Sequence, residues 1–148
     1  MRIYMDVCCL NHPFDDLSQV RINLEAEAVL SILSQCERGD WTLFSSGAID
    51  FELSRLPNVD KLAKIKTLYR VANERAEVSS TTERRASELQ QSGLKILDSY
   101  HVATAEDCGA DVFLTTDDRL QNTANRMELK VRVSNPAIWL MEVTANER

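Results

Sequence analysis

Two short apolar runs that end abruptly on carboxylates restrict this chain more than any other feature. In "RIYMD", Ile3, Tyr4 and Met5 suit a buried strand and run straight into Asp6. In "VFLTTDD", Val112, Phe113 and Leu114 do the same before Thr115, Thr116, Asp117 and Asp118. Runs without polar alternation are those of strands covered on both faces. Helical patterns lie between them. Ser18 is positioned to cap a long helix whose stripe is Ile22, Ala26, Val29, Leu33 and Cys36, with Gly39 as its stop. "WTLFS" is a second strand, and "SSGAIDFELSRL" a helix closed by Pro57. Residues 59–75 predict another helix. Ser80 and Glu83 look like a capping box for a helix through Gln91, and Gly93 breaks it. "LKILDSYHVATAEDCGAD" gives a helix starting at Asp98, "KVRV" a fourth strand and "NPAIWLMEV" a last helix. Strands alternating with helices imply a parallel sheet with helices on both faces, which binds ligands outside the carboxyl ends of its strands. Asp6 and Asp117 would emerge on that one edge.

At 148 residues the expectation is a single domain over 1–148 with a core of its own. A hydrophobic content of 44% with 27% charged residues excludes a disordered chain. No apolar run approaches the length of a membrane span, and the first residues lack the apolar core of a signal peptide, so the expected location is the cytoplasm. Cys8, Cys9, Cys36 and Cys108 form no C-x-x-C pair and read as small buried hydrophobes in a reducing compartment. The net charge of −6 argues against a broad nucleic-acid coat, though not against a small site that touches phosphates.

Glu52 adds weight to the acids at the strand ends. At 100° per residue it falls among Ile49, Leu53 and Leu56, while Asp50 turns toward the flank. An unpaired buried charge is expensive, so Glu52 needs either a salt bridge, to Arg55 or a nearby lysine, or a metal. Asp98 follows Ile96 and Leu97 and reads either as an N-cap or as a fourth acid of the same group. His101, one turn on and on the same side, is carried only as a group behind the acids. Two carboxylates ~4 Å apart repel by roughly 4 kcal/mol at an effective dielectric of about 20. Four together need a cation, and oxygen-only donors favour Mg²⁺ or Mn²⁺ over zinc. Such a site activates water for attack on a phosphodiester.

"IYMDVCCLN", "AIDFELS" and "LDSYHVATAEDCGADVFLTTDDRL" resemble, in order and spacing, the acidic motifs of PIN-domain ribonucleases, of which the VapC-like toxins are the most numerous. The resemblance covers nearly the whole chain, and its most specific piece runs from Asp98 to Asp117. It implies a three-layer α/β/α sandwich with a central, mainly parallel sheet. It also implies Mg²⁺- or Mn²⁺-dependent endonucleolytic cleavage of single-stranded RNA. Asp6, Glu52, Asp98 and Asp117 match the four family acids, as catalytic residues and metal ligands. Thr115 or Thr116 matches the hydroxyl that supports the fourth acid, and Asp118 is an adjacent extra carboxylate. Cys8 stands where many members carry a small hydroxyl residue, and a thiol is the poorer donor. Cys8 and Cys9 are on this reading bystanders to Asp6.

The family further implies a cognate antitoxin protein as partner, hence a type II toxin–antitoxin pair, and a homodimer. Lys61, Lys64, Lys66, Arg70, Arg84 and Arg85 read either as solvated helix faces or as contacts to an RNA backbone. Two other folds that open on a strand ending in Asp fit less well. A haloacid-dehalogenase-type phosphatase needs a second Asp where Cys8 stands. A phospho-receiver needs an acidic neighbour for Asp6 and a lysine at the end of its last strand. The alternative that stays open is a PIN fold acting as a non-catalytic RNA- or protein-binding module.

Overall fold

The computed structural model describes residues 1–145. A five-stranded sheet in the order β3-β2-β1-β4-β5 is parallel at every pairing. The strands are β1 (Arg2–Met5), β2 (Thr42–Ser46), β3 (Glu74–Ala76), β4 (Val112–Leu114) and β5 (Arg132–Ser134). The helices are α1 (Val7–Asn11), α2 (Val20–Glu37), α3 (Gly47–Ser54), α4 (Val59–Tyr69), α5 (Ser80–Gln91), α6 (Ile96–Asp107), α7 (Asp118–Ala124) and α8 (Pro136–Ala145). Among the described residues no helix is long and apolar enough to cross a membrane.

The central strands are covered on both faces, as their unbroken apolar runs require. Ile3, Tyr4, Met5, Val112, Phe113 and Leu114 are all fully buried. Burying an aliphatic or Phe side chain of this size contributes about 1.5–3 kcal/mol, so β1 and β4 anchor the domain. Their register pairs Ile3 with Val112 and Met5 with Leu114. The ladder continues one step past the strand, where the Asp6 backbone N–H donates to the Leu114 carbonyl at 2.9 Å. Asp6 therefore leaves the sheet beside Thr115, fixed by the same hydrogen-bond pattern that builds the core.

Several local expectations need correction. The helix expected over 59–75 stops at Tyr69, and Glu74–Ala76 becomes edge strand β3. Its three residues carry no apolar alternation. What holds them is the pairing of Phe44 with Glu74 and Ser46 with Ala76, together with the Asn73 side chain accepting from the Leu43 N–H. Ser18 does not cap α2: the N-cap position is Gln19, and the Ser18 hydroxyl donates to Asp16 instead. The capping box of α5 lies one residue earlier than expected, with Ser79 and Thr82 exchanging bonds in place of Ser80 and Glu83. Helix α6 starts at Ile96 with Lys95 at the N-cap position, so Asp98 sits in its first turn and caps nothing. Helices α1 and α7 were not foreseen, and strands β2 and β5 end one residue later than read. Gly39 and Gly93 close their helices at φ +84° and +118°, a region L side chains rarely enter.

Candidate active site

The carboxyl edge of the sheet gathers the acids by three separate routes. Asp6 follows β1. Glu52 comes from α3, whose start is fixed by Ser46 at the end of β2: the Ser46 Oγ accepts the Ile49 N–H at 3.1 Å. Asp98 comes from the first turn of α6. The helical reading of α3 holds, since Ile49 and Leu53 are buried, Glu52 is half-buried, and Asp50 faces out to pair with Arg75 at 2.8 Å. The salt bridge considered between Glu52 and Arg55 is not formed. The Arg55 guanidinium lies over the Phe51 ring, and Glu52 Oε1 meets His101 Nε2 at 2.7 Å.

One oxygen each from Asp6 and Glu52 and one ring nitrogen of His101 lie within 4.8 Å of one another. Asp6 is buried, and burial pushes its carboxyl pKa above the ordinary value. The charge of Glu52 adds to the rise, while His101 and the donors Thr115 and Cys8 oppose it. The Asp98 carboxyl is raised to about 6, first by desolvation and then by the negative charges of Asp6, Asp117 and Glu52. The charge of Glu52 thus acts on Asp6, and those of Asp6, Asp117 and Glu52 act on Asp98. Oxygen donors under mutual repulsion suit a hard divalent cation, which neutralises them and uses carboxylate ligands.

Asp117 is more peripheral. It is exposed at the N-cap of α7, where its Oδ1 accepts the Arg119 and Leu120 N–H groups, and its charge reaches the cluster through Asp98. Asp118 points elsewhere: both its oxygens take the Arg21 guanidinium at 2.7 and 2.8 Å, across to α2. The structure does not bring Asp118 into the group. The Thr115 hydroxyl donates to Asp6 Oδ2 at 2.8 Å and accepts the Asp117 N–H at 3.1 Å, so it serves the first acid directly and ties the fourth by its backbone. Thr116 is half-buried, and its backbone N–H approaches the Cys8 sulfur at 3.4 Å.

Two contributors, Cys8 and Tyr4, escape the sequence reading, which carries His101 only as a group behind the acids. Cys8 is no bystander: its thiol donates to Asp6 Oδ2 at 3.3 Å, beside Thr115. It fills the place of a small hydroxyl residue with a longer, weaker bond. Cys9, by contrast, only donates to the Leu114 carbonyl. His101 is fully buried against Glu52, and Tyr4, which reads as plain core, puts its hydroxyl 2.8 Å from His101 Nδ1. The available signal was a histidine inside the apolar stretch "SYHVATA", where burial demands a partner.

The basic residues divide. Arg85 is committed to the fold, donating to both oxygens of Glu106, to Glu88 and to the Glu128 carbonyl. Lys61 pairs with Asp15 at 2.9 Å. Lys66, Arg70 and Arg84 are exposed and, among the described residues, form no ion pair. Arg85→Ala is therefore expected to lower stability by about 1–3 kcal/mol, because it removes the charge that pairs with the buried Glu106 carboxylate. Chemical denaturation checks it; unchanged stability would contradict the assignment.

Comparison with known proteins fits this geometry. The PIN domain family model matches residues 17–126, and the chain belongs to the PIN domain family. The match includes Glu52, Asp98 and Asp117; Asp6 lies ahead of it. Among curated proteins no significant match is found. Solved structures similar to this fold include FitAcB from Neisseria gonorrhoeae, at 17% identity and TM-score 0.60, covering 90% of this chain and 97% of that one. VapBC2 from Rickettsia felis, bound to a DNA fragment from its promoter, follows at 14% identity and TM-score 0.59, covering 91% and 98%. PAE2754 from Pyrobaculum aerophilum has 19% identity and TM-score 0.55, covering 98% and 90%. At these identities the likeness is one of fold.

Proposed function

We propose that this PIN-domain chain is an Mg²⁺- or Mn²⁺-dependent endoribonuclease that cleaves single-stranded RNA, acting as the toxin of a type II toxin–antitoxin pair. The observation that carries the proposal is the meeting of Asp6 and Glu52 beside His101 at the carboxyl edge of the parallel sheet, with Asp98 nearby, its pKa lifted to about 6 by burial and then by the charges of Asp6, Asp117 and Glu52. A bound divalent ion would polarise a phosphoryl oxygen and acidify an attacking water. The chain's own part is to hold that charge in place. Asp6, Glu52, Asp98 and Asp117 supply the carboxylates. Thr115 and Cys8 keep the Asp6 oxygen oriented, and the exposed Lys66, Arg70 and Arg84 are candidates for the RNA backbone. Similarity to FitAcB and to promoter-bound VapBC2 supports a cognate antitoxin as partner. On this reading the chain works in the cytoplasm as a homodimer.

Incubation of the purified protein with single-stranded RNA tests the activity. Cleavage is expected with Mg²⁺ or Mn²⁺ and none after EDTA. Absence of cleavage with either metal over a broad set of RNAs would favour the non-catalytic binding module.

A further inference from the structure

A closed hydrogen-bonded chain runs through the protein interior and ends on Glu52. Ser46 Oγ lies 2.7 Å from the Tyr4 hydroxyl, which lies 2.8 Å from His101 Nδ1, and His101 Nε2 lies 2.7 Å from Glu52 Oε1. Ser46, Tyr4 and His101 are each fully buried, so their protons must be shared out among these atoms. The Tyr4 ring stacks on Phe113 at 5.4 Å and the His101 ring meets it edge-on at 5.7 Å, which holds both rings in plane and position.

Only one allotment satisfies every group. Ser46 Oγ already accepts the Ile49 N–H. Its own hydroxyl proton then goes to the Tyr4 oxygen, the Tyr4 proton to His101 Nδ1, and the Nε2 proton to Glu52. With the Nδ1 proton on His101, Tyr4 must donate to Ser46, and among the described residues the Ser46 proton has no acceptor. An unmet buried donor costs about 1–3 kcal/mol. If Nε2 were then unprotonated, its lone pair would also face the Glu52 carboxylate.

We propose that Ser46 and Tyr4 lock His101 in the Nε2–H tautomer, and that His101 is a positioning residue for Glu52 rather than a metal ligand. The Nε2–H holds Oε1, which would leave the remainder of the Glu52 carboxylate for an ion that Glu52 and Asp6 would hold together. Outer partners of this kind orient metal-binding carboxylates and tune their affinity. The role assigned to Glu52 rests on the metal-site reading above; the tautomer does not.

Long-range proton–nitrogen NMR reads the tautomer directly. The chain has two histidines, His12 and His101, and His101→Gln assigns the signals. The Nε2–H form of His101 is expected in the metal-free protein and also at saturating Mg²⁺. The Nδ1–H form, or loss of the Nε2 proton when Mg²⁺ is added, would overturn the proposal. Tyr4→Phe is expected to release the lock and give mixed tautomers. In calorimetric Mg²⁺ titrations, His101→Leu should weaken binding about 10–100-fold, while His101→Gln, which keeps a donor toward Glu52, should stay within about threefold of wild type. Equal losses in both variants would reduce His101 to packing. If His101→Leu fails to fold, the wild-type and Tyr4→Phe spectra still decide. If the wild type binds neither Mg²⁺ nor Mn²⁺, the metal reading fails, and the tautomer measurement stands alone as the test of the lock.

Discussion

Asp6→Asn is expected to lower metal-dependent RNA cleavage by at least about 10³-fold, equivalent to roughly 4 kcal/mol of transition-state stabilisation. The same change is expected to raise the melting temperature of the metal-free protein. Both effects have one cause. The Asp6 carboxyl is buried, and its pKa is raised chiefly by desolvation, so its charge opposes folding until a cation answers it. An asparagine keeps the shape and an acceptor for the Thr115 hydroxyl and the Cys8 thiol. It discards the charge that would hold the ion. A cleavage assay and a thermal melt on one preparation, with and without EDTA, measure the pair. Retained cleavage would remove Asp6 from the site. Lost cleavage with a lower metal-free melting point would mean that Asp6 serves packing rather than chemistry.

Why this acid was legible in the sequence, and its supports were not, follows from how each is encoded. Asp6 stands directly after one apolar strand run, Asp117 two threonines after another, and Glu52 on the inward stripe of a helix, so periodicity marks their places and the family resemblance joins them into a candidate site. The parallel sheet follows from the same alternation. Tyr4 carries no such mark: within a strand it is one more large apolar side chain. Its hydroxyl partners lie 42 and 97 positions away and meet it only when β2 and α6 dock on β1. Asp118 is the opposite case. It is adjacent to Asp117 in sequence, but the start of α7 turns it outward to Arg21. Edge strand β3 is held by backbone pairing and by Asn73, and a charged "ERA" announces neither. Cys8 was judged by the strength of its thiol as a donor, whereas α1 decides that the thiol reaches Asp6 at all.

The raised carboxyl groups also set how the protein responds to pH and to metal. Asp98 titrates near 6 in the fold against about 3.9 in an unfolded chain, and Asp6 is raised as well. Between those values the native state binds more protons than the unfolded state. Their contribution to stability is therefore fully present below about pH 4 and is lost as the pH rises through 6. Asp16 and Asp118, whose pKa values are lowered, act in the opposite sense but at more acid pH, outside this window. The metal-free wild type should accordingly lose melting temperature between pH 5 and pH 7 relative to Asp98→Asn. Metal reverses the order, because it binds the ionised form and competes with protons. At pH 7.5, Mg²⁺ at about 100 times its Kd adds ~2.7 kcal/mol. In a domain of this size that is an increase of about 5–10 °C. At pH 5 the increase should nearly vanish, and calorimetry at pH 6 in two buffers of different ionisation enthalpy should show proton release on binding. An Mg²⁺ increment independent of pH, or the same pH slope in wild type and Asp98→Asn, would place the binding away from these carboxylates.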